Sequence, residues 1–225
     1  MPCRSRPNDA VGGSHAAHET HGAASAVRLV VSIALVGLMG CGGKDAHGPP
    51  PADVWRLEAV ADDLTRPPFR IGEFEIRPPS ELRFVRQDGP DSYIWAGPTR
   101  PDNSHFSLTV IVTEIPADEV RITPAEHLRD ILGELRKDRP DFQTTGVQPG
   151  RLNGYSFERS NWTGSSHVGA QNGMPALSQQ GAVYVGLFNH RGVVLMFQDI
   201  TAAGANSIQL GERAVATFRP APPAP

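Results

Sequence analysis

The sequence predicts an α+β fold: a mainly antiparallel sheet with two principal helices packed on it. Three observations predict it. Residues 105–115 alternate, Phe106, Leu108, Val110 and Val112 on one side and Ser107, Thr109, Ile111 and Thr113 on the other, the period of a strand with one face in a core. Residues 124–138 change to a helical period, with Leu128, Ile131, Leu132 and Leu135 at i, i+3, i+4 and i+7. Residues 182–188 and 193–199 are rich in Val, Phe and Leu and flank Asn189-His190-Arg191-Gly192, a hairpin signal.

The elements follow in chain order. Residues 53–64 carry Val54, Leu57, Val60 and Leu64 near helical spacing, which predicts a short helix ended by Pro67-Pro68. Phe74 and Ile76 alternate with Glu73, Glu75 and Arg77, a half-buried strand. Leu82 with Phe84 and Tyr93 with Trp95 mark two more, separated by Asp88-Gly89-Pro90. Thr123-Pro124-Ala125-Glu126 is a capping box with proline at the first helical position, where its missing N–H costs nothing, and Pro140 ends that helix. Strands are expected at 142–148 and 154–162. A long loop at 163–181 follows, then the hairpin. A last helix is expected over 204–218 with Ile208, Gly211, Val215 and Phe218 inward and Asn206 with Gln209 as its cap.

Residues 29–40 form an apolar run after Arg28, and Cys41 follows at once. Twelve residues span about 18 Å as a helix, too short for a hydrocarbon core of about 30 Å. A positive residue, a brief apolar run and small residues before a cysteine read as a secretory signal. Leu38-Met39-Gly40-Cys41 resembles the lipobox of bacterial lipoproteins. The resemblance implies that Leu38, Met39 and Gly40 are read by the signal peptidase and that Cys41 carries the lipid. The chain then divides into a signal peptide (1–40), a lipid anchor with a Pro/Gly-rich tether (41–68), one α+β domain (69–219) and a Pro-rich tail (220–225). The expected place is the cell envelope, the chain held to a membrane through lipidated Cys41 and facing away from the cytoplasm. Gly42, by the same resemblance, permits the outer membrane.

The domain also resembles the PsbP-like α/β/α sandwich. Its residues behind that likeness are Phe74-Glu75-Ile76-Arg77-Pro78-Pro79, the alternating strand at 106–112 ahead of the helix at 124–138, Leu152-Asn153-Gly154, and Ala216-Thr217-Phe218-Arg219. Members of that fold act mostly as binding or assembly modules, so the resemblance implies a non-catalytic module with an envelope protein as partner. It assigns no site residue.

The net charge is −3, and the first 40 residues hold three Arg against two acids, so the remainder is slightly more acidic. A chain without a basic face is not expected to bind nucleic acid. Cys3 and Cys41 are the only cysteines, which leaves the domain without a disulfide. Gly164-Ser165-Ser166-His167-Val168-Gly169 nearly spells a nucleophile elbow, with its second glycine one residue late. His15, His18 and His21 repeat at spacings of three within the leader, whereas His105, His127, His167 and His190 stand singly. None of these four has the spacing of a zinc site, and the leader's three lie before the expected cleavage site, so no metal, cofactor or catalytic residue is expected. An envelope hydrolase with dispersed His, Ser and acidic groups, or a carrier of a small apolar ligand, is the alternative. The loop 163–181 is the place expected to meet a partner, with Trp162, Met174 and Leu177 as its contact residues.

Overall fold

Within the computed structural model the described residues are 55–222, apart from 88, 90, 117–121 and 167–175. The leader with Leu38, Met39, Gly40 and Cys41, the histidines of that leader, His167 and Met174 lie outside them. Strand β1 (Trp55–Leu57) and a one-turn helix α1 (Ala61–Leu64) come first. Three-residue strands β2 (Phe69–Ile71) and β3 (Phe74–Ile76) precede β4 (Arg83–Gln87), β5 (Ser92–Ala96) and β6 (Ser107–Glu114). Helix α2 (Pro124–Lys137) follows, then β7 (Gln143–Thr144), β8 (Gln148–Leu152), β9 (Tyr155–Ser166), β10 (Leu177–Phe188) and β11 (Arg191–Ile200). Helix α3 (Ala205–Ala216) and β12 (Arg219–Pro220) close the fold.

The main sheet runs β1-β8-β9-β10-β11-β6-β5-β4, with β7 beside β9; a second sheet runs β12-β3-β2. The sheet is mixed, which amends the expectation of an antiparallel one. Among the described residues every pairing is antiparallel except that of β1, which lies parallel to β8 with Trp55 opposite Gly150 and Leu57 opposite Leu152. The helix expected over 53–64 is therefore β1 plus the single turn of α1. Trp55 and Leu57 pack on the core from a strand, and a three-residue alternation is too short to show against the helical spacing around it.

Helix α2 forms where its signals place it. Thr123 N–H donates to Glu126 Oε2 at 2.8 Å, and Glu126 N–H donates to Thr123 Oγ1 at 3.2 Å. Leu128, Ile131, Leu132 and Leu135 are buried against Val183, Val185, Val194 and Met196 of the sheet. Each such side chain is worth about 1.5–3 kcal/mol on burial. The opposite sheet face carries the larger core, where Leu108, Val110, Tyr184, Leu195 and Phe197 meet α3 and the small sheet. Gly211 of α3 sits on the Phe197 ring with no room for a methyl group.

The hairpin is longer than the apolar runs suggest. Asn189 and His190 alone make the turn, both left-handed (φ 43° and 66°), and Arg191 already pairs with Phe188. At the other end Leu177–Gly181 pair with Trp162–Ser166, so β9 and β10 take up both flanks of the segment expected as a loop at 163–181. Ser178, Gln179 and Gln180 are polar yet hydrogen-bonded in the ladder, which apolar periodicity cannot reveal. Helix α3 begins at Gly204 (φ 68°) rather than at an Asn206 cap, and Phe218 is buried just beyond its end.

Candidate functional site

Strand β9 places Trp162 in the core beneath the end of α2, 2 % exposed. Phe142 stacks on it at 6.0 Å, and the Arg139 guanidinium lies 4.8 Å above its ring. Arg139 is itself buried and donates to Leu135 O at the helix end and to Gln179 Oε1, both at 3.1 Å. Burial pushes its pKa down. Leu177 is half-buried at the start of β10, opposite Ser166, whereas Trp162 pairs with Gly181. The two expected contact residues thus share a hairpin but do not stand together.

Of the near-elbow, residues 164–166 lie at the end of strand β9, and 167–169 lie outside the described residues. Ser165 is engaged by Asp141, to which its N–H and its hydroxyl both donate at 2.7 Å. His105 and His190 are exposed at loops. His127 is partly buried on α2, and desolvation lowers its pKa against the opposing charge of Asp130. Among the described residues no three His, Cys, Asp or Glu side chains gather to hold a metal.

A shallow cavity of about 220 Å³ opens at the hairpin end of the sheet, lined by Glu73, Asp91, Tyr93, Val112 and Arg191. It is smaller than the roughly 300 Å³ at which ligand pockets begin, and Arg191 is held there by Glu114 at 3.1 Å. Its lining mixes the charged Glu73, Asp91 and Arg191 with the apolar Ile71 and Val112.

The more informative surface is the β4 edge. Phe84 and Val85 are 43 % and 51 % exposed on a strand with nothing paired beyond it among the described residues. Phe84 is the outer ring of an aromatic group: Phe69 lies 4.9 Å away and Trp95 5.4 Å, and Phe69 contacts Tyr93 at 5.9 Å. A register shift between Phe84 and Arg86 bends this edge. Helix α2 packs on β9 and β10, and the same face continues beyond it. The register carries it from Val183 through Met196 and Thr109 to Ile94, leaving Ile94, Thr109, Ile111 and Thr113 half-exposed. The sequence marked Phe84 only as a residue of a strand. Whether a strand lies at an edge depends on pairing far along the chain, so no local signal distinguished it.

Four arginines satisfy three buried carboxylates: Arg100, Arg213 and Arg219 from distant segments, and Arg77 from two residues along the chain. Arg100 binds Asp199, Arg213 binds Asp63, and Arg77 and Arg219 flank Glu75. These pairs build the fold, since each carboxylate is closed off from solvent.

No protein-family profile matches the chain, and no curated protein does. Among solved structures it is similar to cyanobacterial PsbP (CyanoP) of Synechocystis sp. PCC 6803, with 12 % identity over 78 % of this chain and 99 % of that one and a TM-score of 0.49. It is similar to LpqN, involved in cell envelope biogenesis of Mycobacterium tuberculosis, with 17 % identity over 69 % of this chain and 90 % of that one, TM-score 0.49. The Ran-binding protein Mog1p of Saccharomyces cerevisiae gives 13 % identity over 66 % and 90 %, TM-score 0.43.

Proposed function

We propose that the chain is a lipid-anchored cell-envelope protein whose α+β domain binds another protein through the β4 edge and the adjoining open sheet face. The observation that carries the binding reading is the pair Phe84 and Val85, consecutive exposed residues on a strand that among the described residues pairs only with β5, the Phe84 ring packed on an aromatic group. Exposed aromatic anchors at a strand edge are what strand-pairing partners use, main-chain bonds giving affinity and side chains specificity. The anchor reading is supported by the residues 38–41 and by the tether that separates Cys41 from β1. Two acyl chains hold a protein stably where one is marginal. No helix among the described residues is long and apolar enough to cross a membrane.

Two experiments test the two halves. Labelled palmitate enters the wild type and not the Cys41→Ala variant; equal labelling removes the anchor. A photo-cross-linker at Val85 captures a defined envelope protein in cells, and Phe84→Glu abolishes that adduct while a cross-linker at the exposed Tyr155 captures nothing. Capture that survives Phe84→Glu rejects the β4 interface.

A further inference from the structure

At the far edge of the main sheet the chain occupies one of its own clefts. Trp55 of β1 lies across Gly150 of β8, and its indole stands where a side chain at residue 150 would be. The indole N–H donates to Gln148 O at 2.9 Å. The Tyr184 ring meets it edge-on at 5.4 Å, and the Arg159 guanidinium lies over it, also at 5.4 Å. Arg159 is in turn held by Glu212 of α3 at 3.3 Å. A bare glycine floor, a carbonyl acceptor, an aromatic wall and a cation over the ring together make a slot with the shape and polarity of an indole.

The strand that fills this slot is short. It pairs over three residues, in the parallel mode that is less stable per residue, and Trp55 and Leu57 are only half-buried. Beyond Leu57 the chain is fixed by Asn153, which donates its N–H to Leu57 O at 3.0 Å and accepts the Ala59 N–H. Short edge segments of this kind open far more often than the core they rest on.

We propose that the slot over Gly150 is a binding site for an extended segment carrying a tryptophan, closed at rest by the chain's own β1 and opened when β1 lifts off. The incoming segment runs parallel to β8 and repeats the contacts of Trp55: an indole N–H for Gln148 O and a ring beneath Arg159. This deepens the protein-binding reading by adding a second interface, at the edge opposite β4.

The probe is a synthetic peptide with the sequence of residues 53–58, Asp-Val-Trp-Arg-Leu-Glu. It is added to purified full-length Trp55→Ala protein, whose slot is emptied, and binding is read from the shift of the peptide's indole fluorescence. The peptide binds this variant at least tenfold more tightly than the wild type, where β1 competes. A peptide with alanine in place of tryptophan loses at least tenfold. Adding Gly150→Ala to Trp55→Ala fills the floor and removes binding. Circular dichroism of each variant reports folding, and in the wild type the Asn153 amide exchanges with deuterium at least a hundredfold faster than amides of β10 and β11. Equal binding of the two peptides, no binding to Trp55→Ala, or an Asn153 amide as slow as the central strands each overturns the proposal. A lost cross-link at Val85 leaves this result untouched, so the two interfaces fail separately.

Discussion

Arg100 grips Asp199 with both ends of its guanidinium, at 2.5 and 2.7 Å, at the buried end of β11. Arg100 comes from the connection between β5 and β6, shaped by Asp102, which accepts the N–H and hydroxyl of Ser104, and by the left-handed Asn103 (φ 61°). The Asp199 side chain is 2 % exposed, whereas Arg100 reaches solvent. Removing the arginine leaves a buried carboxylate without its counter-charge. Arg100→Ala is expected to cost about 3 kcal/mol or more, and Asp199→Asn less, because the freed guanidinium can turn to water. Urea unfolding of the two variants checks the order; equal losses reject the account.

The turn at Asn153-Gly154 makes a sharper case. Its dipeptide announces a turn, and Asn153 is left-handed (φ 48°) as such turns require. The side chain does more. Its amide donates to Ala216 O and to Phe218 O (3.0 Å for the latter), and its oxygen accepts from Ala59, so one residue ties β1, β8 and the end of α3 together. Asn153→Asp keeps the size but loses both donated bonds and sets a negative charge against two carbonyls. A loss of about 1–3 kcal/mol is expected, with Asn153→Ala adding backbone strain. Thermal unfolding measures both.

Legibility in the sequence divides along physical lines. Helix α2 is local information: the capping box, the stripe and Pro140 all act within one element, and its bounds follow. Strand β6 was equally plain from its alternation. Glu75 illustrates what is not local. Alternation puts it on the solvent side of β3, yet it is buried, because Arg219 reaches it at 2.7 Å from 144 residues away. The extension of β9 and β10 through Ser165, Ser166, Ser178 and Gln179 is set by cross-strand hydrogen bonds that any residue type can make. The β4 edge and the Gly150 slot share that origin: pairing order decides them, and a glycine gives no sign of the ring that will cover it.

His127 on α2 and Glu158 on β9 give the stability a pH dependence with opposing signs. Desolvation lowers the His127 pKa below its ordinary value of about 6.5. Below that value the unfolded chain binds the proton more readily, so this contribution is present above about pH 6.5 and is lost as pH falls through the folded pKa. Burial raises the Glu158 pKa above its ordinary value, against the nearby charge of Arg129. Its contribution is present at low pH and is lost as pH rises through the raised value. His127→Gln is expected to flatten the fall in stability on acidification from pH 7 to pH 5. Glu158→Gln is expected to stabilise at pH 7 and to do little at pH 4. Urea midpoints across that range decide both signs.

Trp162 and Leu177 separate a core role from a contact role on one hairpin. Trp162 is closed in by Phe142 and Arg139, and its ring leans over Gly181, whose missing side chain makes the space. Truncating a buried tryptophan removes that packing and leaves a cavity, at about 3–5 kcal/mol. Leu177 is half-buried at the end of β10, where truncation is expected to cost about 1 kcal/mol or less. Trp162→Phe keeps the stack on Phe142 and gives up an indole N–H that has no hydrogen-bond partner among the described residues, so it should recover most of what Trp162→Ala loses. If Trp162 instead met a partner, Trp162→Ala would leave the unfolding midpoint in place and reduce only binding. Unfolding and capture measured on the same three variants distinguish the two roles, and the burial of the indole under α2 sets the expected outcome: stability falls first.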